Sequence, residues 1–463
     1  MMLVAGVDSS TQSTKIVVCD ARDGTVVRQA SAPHPPGTEV DPQVWWAAYL
    51  QASENGLLEG VSALSIAGQQ HGMIALDEDN DVVRPALLWN DVRSAGAAGD
   101  LISELGGRDR WTEAVQVSPV ASLTITKLRW LAEHEPENAR RTRSVALPHD
   151  WLTQCVLGTK ALVTDRGDAS GTGYWSAASG TYREDLLRLA FGRTLEVPTV
   201  LPPDQVAGQT PDGILVAAGT GDNMGAALGL DLVAGDIVVS LGTSGTAFAV
   251  HDAPTADPTG TVTGFADATG RFLPLVATLN AARVLTATAT LLGTDLAGLD
   301  ALALRAKSAS GLVFLPYLDG ERTPDLPNAT GSLTGLTRDN MTPEQLARAA
   351  VEGMLCGLAD AVEALTTQGV PLRRLLLIGG AARSAAVQVL APALFGVPVL
   401  VPEPQEYVAL GAAAQAVWAL TGERPVWPAP PVRTLEPSAA DVVAALDTRA
   451  AYRQARDRVV AQG

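Results

Sequence analysis

Two stretches of this chain share one design, and they lie half a chain apart. "LVAGVD" at residues 3–8 is apolar and β-prone, "SSTQST" is a hydroxyl-rich turn, and "KIVVCD" resumes the strand. About 230 residues later, "DIVVS", "LGTSGT" and "AFAV" repeat that order from residue 236. A strand–turn–strand unit cannot bury both its faces alone, so each copy needs its own sheet and helices. The repeat therefore predicts an α/β chain of two lobes built on related sheets rather than one long domain. The expected divisions are 1–233, 234–440 and a C-terminal tail or helix at 441–463. No short-period solenoid repeat is visible.

Composition narrows the function classes. Of 463 residues, 47% are hydrophobic and 18% charged, the profile of a folded soluble protein. The net charge of −17 argues against nucleic acid or an anionic membrane as partner. A phosphate-bearing ligand must then be held by backbone N–H groups, a metal ion or a few local cations. Cys19, Cys155 and Cys356 are far apart with no CxxC, which points to a reducing compartment without disulfides or zinc. "MMLVAGVDSS" lacks the basic start of a signal peptide, and no apolar run reaches the ~18 residues of a membrane span. A cytoplasmic location is expected.

The rest of the chain reads as helices and strands with clear punctuation. "DPQVWWAAYLQAS" opens a helix with Asp41 as N-cap, and "VSALSIAG" is a buried strand stopping at "GQQHG". "DRGDASGTGYWSAASGTY" reads as loop. "MTPEQLARAAVEGMLCGLADAVEALTTQG" is a long helix with Thr342 and Gln345 as a capping box. Its Gly353 and Gly357, four apart, offer a bare face to another backbone. "RRLLLIGG" then ends a strand in a glycine turn.

Several of these points suit particular chemistry. Turns free of bulky side chains aim backbone N–H groups and hydroxyls into one concavity, a cradle for phosphate. Thr11 stands in the first such turn, Gly242 and Thr243 in the second. Asp8, at the head of the first turn, suits Mg²⁺. A P-loop is excluded, because no Gly-Lys pair occurs, and Gly219, Gly221 and Gly225 miss the dinucleotide spacing by one residue. Asp222 is the one charge in "ILVAAGTGDNMGAALGL". It reads either as a helix cap or as a general base in a dry, close-fitting site. Gln70 and His71 end a strand, and Trp89, Asn90, Asp91 and Arg93 follow in "LLWNDVR". Dense polar groups beside an aromatic wall suit a polyol, though a strand-end His is also common as a structural residue. Gly379 and Gly380, with Ser384 just after, would let a flat adenine or ribose approach the backbone.

In order along the chain, "GVDSSTQSTK", "GQQHGM", "LLWNDVRS", "SLTITKLRWLAEH", "GDNMGAALG", "SLGTSGT", "FLPYLDGERTPD", "GSLTGLTRDNMTPEQLARAAVE", "IGGAARS" and "EYVALGAAAQA" resemble the FGGY family of carbohydrate kinases, and most closely its members acting on D-xylulose. The resemblance implies two actin-like, RNase H-type lobes with a cleft between them that closes on the sugar. It implies ATP and Mg²⁺ as cofactors, D-xylulose 5-phosphate as product and possession of a homodimer partner. By matching motif, Asp222 is implied as catalytic base and Asp8 as the organiser of metal and phosphates. Gln70, His71, Asp222 and Asn223 would meet the ketose, with Trp89, Asp91 and Arg93 nearby. Thr11, Gly242 and Thr243 would meet the phosphates, and Gly379, Gly380 and Ser384 the adenosine. The sequence departs from the family where Gly379-Gly380-Ala381 replaces three glycines and where Gln70 replaces a common Met. The alternatives are a family member acting on ribulose, gluconate, glycerol or fuculose, a nucleotide switch of the actin or chaperone type, and a non-catalytic sugar sensor.

Overall fold

Alternate side chains of a strand face opposite ways, so a strand buried on both sides needs helices on both. The strand Leu3–Ser9 shows this. Val4 joins Val17, Cys19 and Ala63 against Ala409, Leu410 and Ala413, while Ala5 and Val7 join Ile16, Leu64 and Ile66 against Ala48, Tyr49 and Leu152. The sheet is thus covered by the helix Tyr407–Thr421 on one face and by Gln43–Ala52 and Pro148–Leu157 on the other. These relations come from a computed structural model, which describes residues 2–461. Residues 1, 462 and 463, at the outer ends of the first and last expected segments, lie outside the described residues.

The chain forms two compact units. The first takes residues up to Leu232 together with Val250–Pro274 and Gln405–Ala429. The second takes Val233–Ala249, Leu275–Pro404 and the chain from Pro430 on. Contiguous lobes were expected, and the chain instead crosses back twice. The reason for the second return lies in the small residues of Tyr407–Thr421, which seat that helix on the first sheet. The helix Ala439–Val460 is no separate tail: Arg449 and Arg456 pair with Asp360 of the helix Pro343–Thr367, inside the second unit.

Each unit repeats one strand path. In the first, Val26–Pro33, Ser13–Asp20, Leu3–Ser9, Val61–Gly68 and Leu215–Ala217 follow in order across the sheet. Leu3–Ser9 is antiparallel to Ser13–Asp20 and parallel to Val61–Gly68. In the second, residues 275–278, Gly245–Ala249, Asp236–Leu241, Arg374–Ile378 and Val399–Pro402 do the same. This is the duplicated design that the two turn segments announced.

Close backbone approach holds the first unit together. A Cβ on Gly411 would lie 1.9 Å from the Gly225 carbonyl oxygen, one on Gly229 would lie 2.0 Å from that of Tyr407, and one on Gly6 would lie 1.8 Å from that of Ala409. In the second unit, Gly353 does meet a backbone, with the Phe314 carbonyl oxygen 2.1 Å from where its Cβ would be, whereas Gly357 faces the Tyr452 phenol. Gly411→Ala has no flexible side chain to displace, so a loss of about 1–3 kcal/mol is expected in denaturant melts. Gly99→Ala, in a helix where the new methyl meets nothing within 4 Å, is expected to gain about 0.5–1 kcal/mol. Equal effects from the two would sink this account of the packing.

Candidate active site

Three parallel strands of the first sheet end side by side. Asp8 pairs with Ala67 and Ser9 with Gly68. On the other side of that strand, Thr220 pairs with Ala67 and Gly221 with Gly68. Ligand sites of α/β sheets form where the carboxyl ends of parallel strands meet. Here the register delivers Asp8, the Gln69–His71 segment and Asp222 to one edge.

Asp222 is the first residue of the helix Asp222–Gly229, whose N-cap is Gly221. It stands one residue inside the helix, so the capping alternative does not describe it. Its Oδ1 accepts from the Asn223 backbone N–H at 2.8 Å and the Asn223 Nδ2 at 2.9 Å. Burial and then the nearby Asp8 carboxylate push Asp222 up to about 7, against the lowering effect of Asn223. Asp8 is itself pushed up to about 6, by burial first, although a hydrogen bond from the Ser10 hydroxyl and the charge of Lys15 work the other way. Lys15 gives only partial relief, because its ammonium pairs with Glu406 at 2.7 Å.

The amide and imidazole groups stand around this pair. Gln70 Oε1 accepts from Asn223 Nδ2 at 3.3 Å, while its buried Nε2 has no hydrogen-bond partner among the described residues. His71 sits at φ +69°, held there by Thr124 Oγ1 donating to its carbonyl oxygen at 3.1 Å. Its Nδ1 donates to the Gly171 carbonyl oxygen at 2.8 Å, and the ring lies 5.5 Å from that of Phe265. Trp89 Nε1 donates to Thr11 Oγ1 at 2.9 Å, tying the aromatic wall to the first turn.

Asp91 and Arg93, expected to face substrate, are engaged with each other. Arg93 Nε donates to Asp91 Oδ1 at 2.8 Å and its Nη2 to Glu39 at 2.6 Å, while Thr38 donates to Asp91 Oδ2 at 2.8 Å. Burial alone would raise the Asp91 carboxyl, but these bonds hold it below its ordinary value. The pair braces the loop that carries Trp89.

The second unit brings the other expected residues together. A Cβ on Gly379 would lie 2.7 Å from the Leu241 backbone, so only glycine lets this strand end lie against the start of the Gly242–Thr243 turn. Gly379 and Gly380 are exposed there, and a Cβ on Gly380 would meet nothing within 4 Å. Ser384 caps the helix Ala385–Phe395 and donates its hydroxyl to Asp300 at 2.5 Å, so it supports this surface from behind.

The sequence reading passed over four groups. Gln69 is buried with neither amide atom hydrogen-bonded. Arg283 donates to the Thr243 carbonyl oxygen at 3.4 Å, a cation at the second turn. Asp165 and Asp168 lie in the segment read as loop; 166–170 is instead a buried helical turn, with Asp165 accepting from the Gly167 and Asp168 N–H groups. No composition signal marks those carboxylates. Their pairing with His149 is visible only in the fold.

Comparison with known proteins identifies the family. Residues 3–230 match the N-terminal domain of the FGGY family of carbohydrate kinases and residues 237–420 its C-terminal domain. The chain is 49% identical over 437 residues to a xylulose kinase of Streptomyces coelicolor, covering 91% of this chain and 89% of that protein. It is 48% identical over 438 residues to that of Streptomyces rubiginosus, with the same coverage of each. The solved xylulose kinase from Bifidobacterium adolescentis superposes with a TM-score of 0.89 at 44% identity, over 98% of this chain and 99% of that one.

A carboxyl whose folded value is raised weakens the fold where it must ionise. Asp222 rises from 3.8 to about 7 on folding, so its penalty is absent below the lower value, grows between the two and is complete above about 7. Asp222→Asn is therefore expected to raise the thermal midpoint at about pH 8 and to leave it nearly unchanged at about pH 4. A lower midpoint at the alkaline pH would refute the electrostatic description.

Proposed function

The chain belongs to the FGGY family of carbohydrate kinases, and we infer that it phosphorylates D-xylulose with ATP, giving D-xylulose 5-phosphate and ADP. The xylulose kinases it resembles over nine-tenths of its length support that acceptor. The observation that carries the chemistry is Asp222, a carboxylate pushed up to about 7 beside a buried amide donor, Gln70 Nε2, that has no hydrogen-bond partner among the described residues.

In this reading Asp222 takes the proton of the ketose O5 hydroxyl as that oxygen attacks the γ-phosphorus. The new O5–P bond forms as the bond from phosphorus to the β,γ-bridging oxygen breaks, and the electron pair leaves with ADP. A base near neutrality suits the task, because it is ionised at working pH and still basic enough to accept a proton. Gln70 Nε2 donates to a sugar oxygen, with Asn223 fixing the amide's orientation through Oε1. His71 and Trp89 line the ketose, and Asp91 and Arg93 keep the Trp89 loop in place.

Mg²⁺ fits beside Asp8, because two mutually repelling buried carboxylates with one diverted lysine make a site short of positive charge. Bound there, Mg²⁺ would offset the charge of the phosphates. Thr11 and the Gly242–Thr243 turn hold the phosphates, and Gly379, Gly380 and the turn that Ser384 supports take the adenosine. The reading also places the chain in the cytoplasm as a homodimer acting on small molecules. Its net charge of −17, repelled by nucleic acid and anionic lipid, supports the absence of those partners.

ADP release with D-xylulose, compared with ribulose, gluconate and glycerol, tests the acceptor, and a stronger response to any of the other three would overturn it. Asp222→Ala is expected to lose about a hundred- to ten-thousand-fold in kcat. Near-parental turnover in that variant would remove the base from Asp222. In the parent, kcat/KM for ketose should fall as pH drops through the region from about 7 to about 6 where Asp222 and Asp8 take up protons. A flat profile down to about pH 5 would contradict the assignment.

A further inference from the structure

The residues just ahead of Asp222 have no bulk of their own with which to hold a position. Ala218, Gly219, Thr220 and Gly221 run from the end of the Leu215–Ala217 strand to the helix that begins at Asp222. Three buried side chains from three separate elements grip them in succession. His149 Nε2, from the helix Pro148–Leu157, donates to the Ala218 carbonyl oxygen at 3.0 Å. Gln415 Nε2, from the helix Tyr407–Thr421, donates to the Gly219 carbonyl oxygen at 2.9 Å. Asp165 Oδ2, capping the short helical turn, accepts from Thr220 Oγ1 at 3.2 Å.

His149 is central to this grip. Its side chain is fully buried, and the fit is so close that a Cβ on Gly219 would lie 1.8 Å from its Nε2. Nε2 faces a carbonyl oxygen, while Nδ1 lies 3.3 Å from Asp150 Oδ1 and 3.2 Å from Asp168 Oδ2. Nε2 donates to a carbonyl oxygen, and Nδ1 lies within ion-pair reach of two buried carboxyl groups, so the site favours the doubly protonated, cationic ring. Burial opposes a charged imidazole, but the Asp150 and Asp168 carboxylates outweigh it and hold His149 well above its ordinary value. The other face of this cluster reaches the sugar subsite. A Cβ on Gly221 would lie 2.8 Å from Gln70 Cδ and 2.9 Å from Asp168 Oδ1.

The geometry points to His149 as a positioning residue for phosphoryl transfer: its buried imidazolium, anchored on Asp150 and Asp168, fixes the Ala218–Gly221 segment and through it the place of the Asp222 carboxylate. The inference rests on Asp222 being the base. A cation suits the cluster, because a neutral ring would leave Asp150 and Asp168, the latter already pushed up to about 8 by burial, without a counter-charge. His149 touches no reacting atom, so its effect belongs to alignment, where displacement of about 1 Å is enough to lose about a hundred-fold in rate.

Steady-state kinetics of the full chain with D-xylulose and ATP test this, using His149→Gln, His149→Lys and Asp222→Asn side by side. His149→Gln keeps a donor for Ala218 but not the charge, and its kcat is expected to fall about ten- to a hundred-fold while KM for ATP stays within about two-fold. His149→Lys restores the charge and is expected to recover most of that loss. A merely structural residue would instead lower the amount of folded protein and leave the folded fraction with parental kcat. That result, or a Lys variant no better than Gln, would overturn the proposal. So would stoichiometric metal in the purified parent that is lost on His149→Gln, because the cluster would then be a metal site. Should His149→Gln not fold, Thr220→Val, which removes only the bond to Asp165, must still lower kcat, and parental kcat there overturns the proposal. An active Asp222→Asn variant would count against the base assignment itself, separately from His149.

Discussion

Two carboxylates that would rather be in water, and apart, are held at the carboxyl ends of the two strands that flank Val61–Gly68, and the rest of the first unit is arranged around that repulsion. Asp8 is fixed by the pairing of its strand to Val61–Gly68, and Asp222 follows from the pairing of Thr220–Gly221 to the same strand. Neither side chain can move away without breaking sheet register. Burial pushes both above the usual carboxylate range, helped at Asp222 by the charge of Asp8 and at Asp8 by that of Glu406. The fold thereby stores an affinity for a proton at both acids. A free surface would dissipate both.

Such a site needs a scaffold that leaves no slack, and the glycines supply it. The helices Asp222–Gly229 and Tyr407–Thr421 meet backbone to backbone, and Gly6 lets the second of them lie against the first strand. At these contacts main chain meets main chain, with no side-chain rotamer between the helices to absorb a shift. The position of Asp222 is thus set by main chain on one side and by the His149–Asp165–Gln415 grip on the other. This also explains why residues 405–429 fold with the first unit. The small-residue face that completes that unit lies late in the sequence.

Much of this was legible in the sequence, because the features that carry it are local. The paired hydroxyl-rich turns, the strand ends before Gln70 and Gly379 and the isolated charge of Asp222 are all short-range patterns, and the structure has a strand or turn where each predicts one. What could not be read depends on distant pairing. "DRGDASGTGY" has the composition of a loop, yet Asp165 and Asp168 are buried because His149, Thr220 and their own backbone N–H groups surround them. Asp91 and Arg93 looked like ligands by residue type. Glu39 and Thr38, more than fifty positions earlier, claim their polar groups instead. A charged residue announces its chemistry in the sequence, but only the fold decides whether its partner is a ligand or a neighbour.

An acidic chain that uses ATP must solve a problem of its own making, since a net charge of −17 repels the tetra-anion it needs. The cations near the relevant turns offer little net help. Lys15 is paired with Glu406, and Arg283 with Asp319 at 2.6 Å. What the turns do provide is backbone without side chains in the way: a half-buried glycine at 242 and exposed ones at 379 and 380. Backbone N–H groups attract phosphate through fixed dipoles and add no net charge, so they bind without creating a basic surface for unrelated polyanions. On this argument the acidity of the chain and its glycine-lined turns belong together, because backbone dipoles can meet an anion without adding a basic surface.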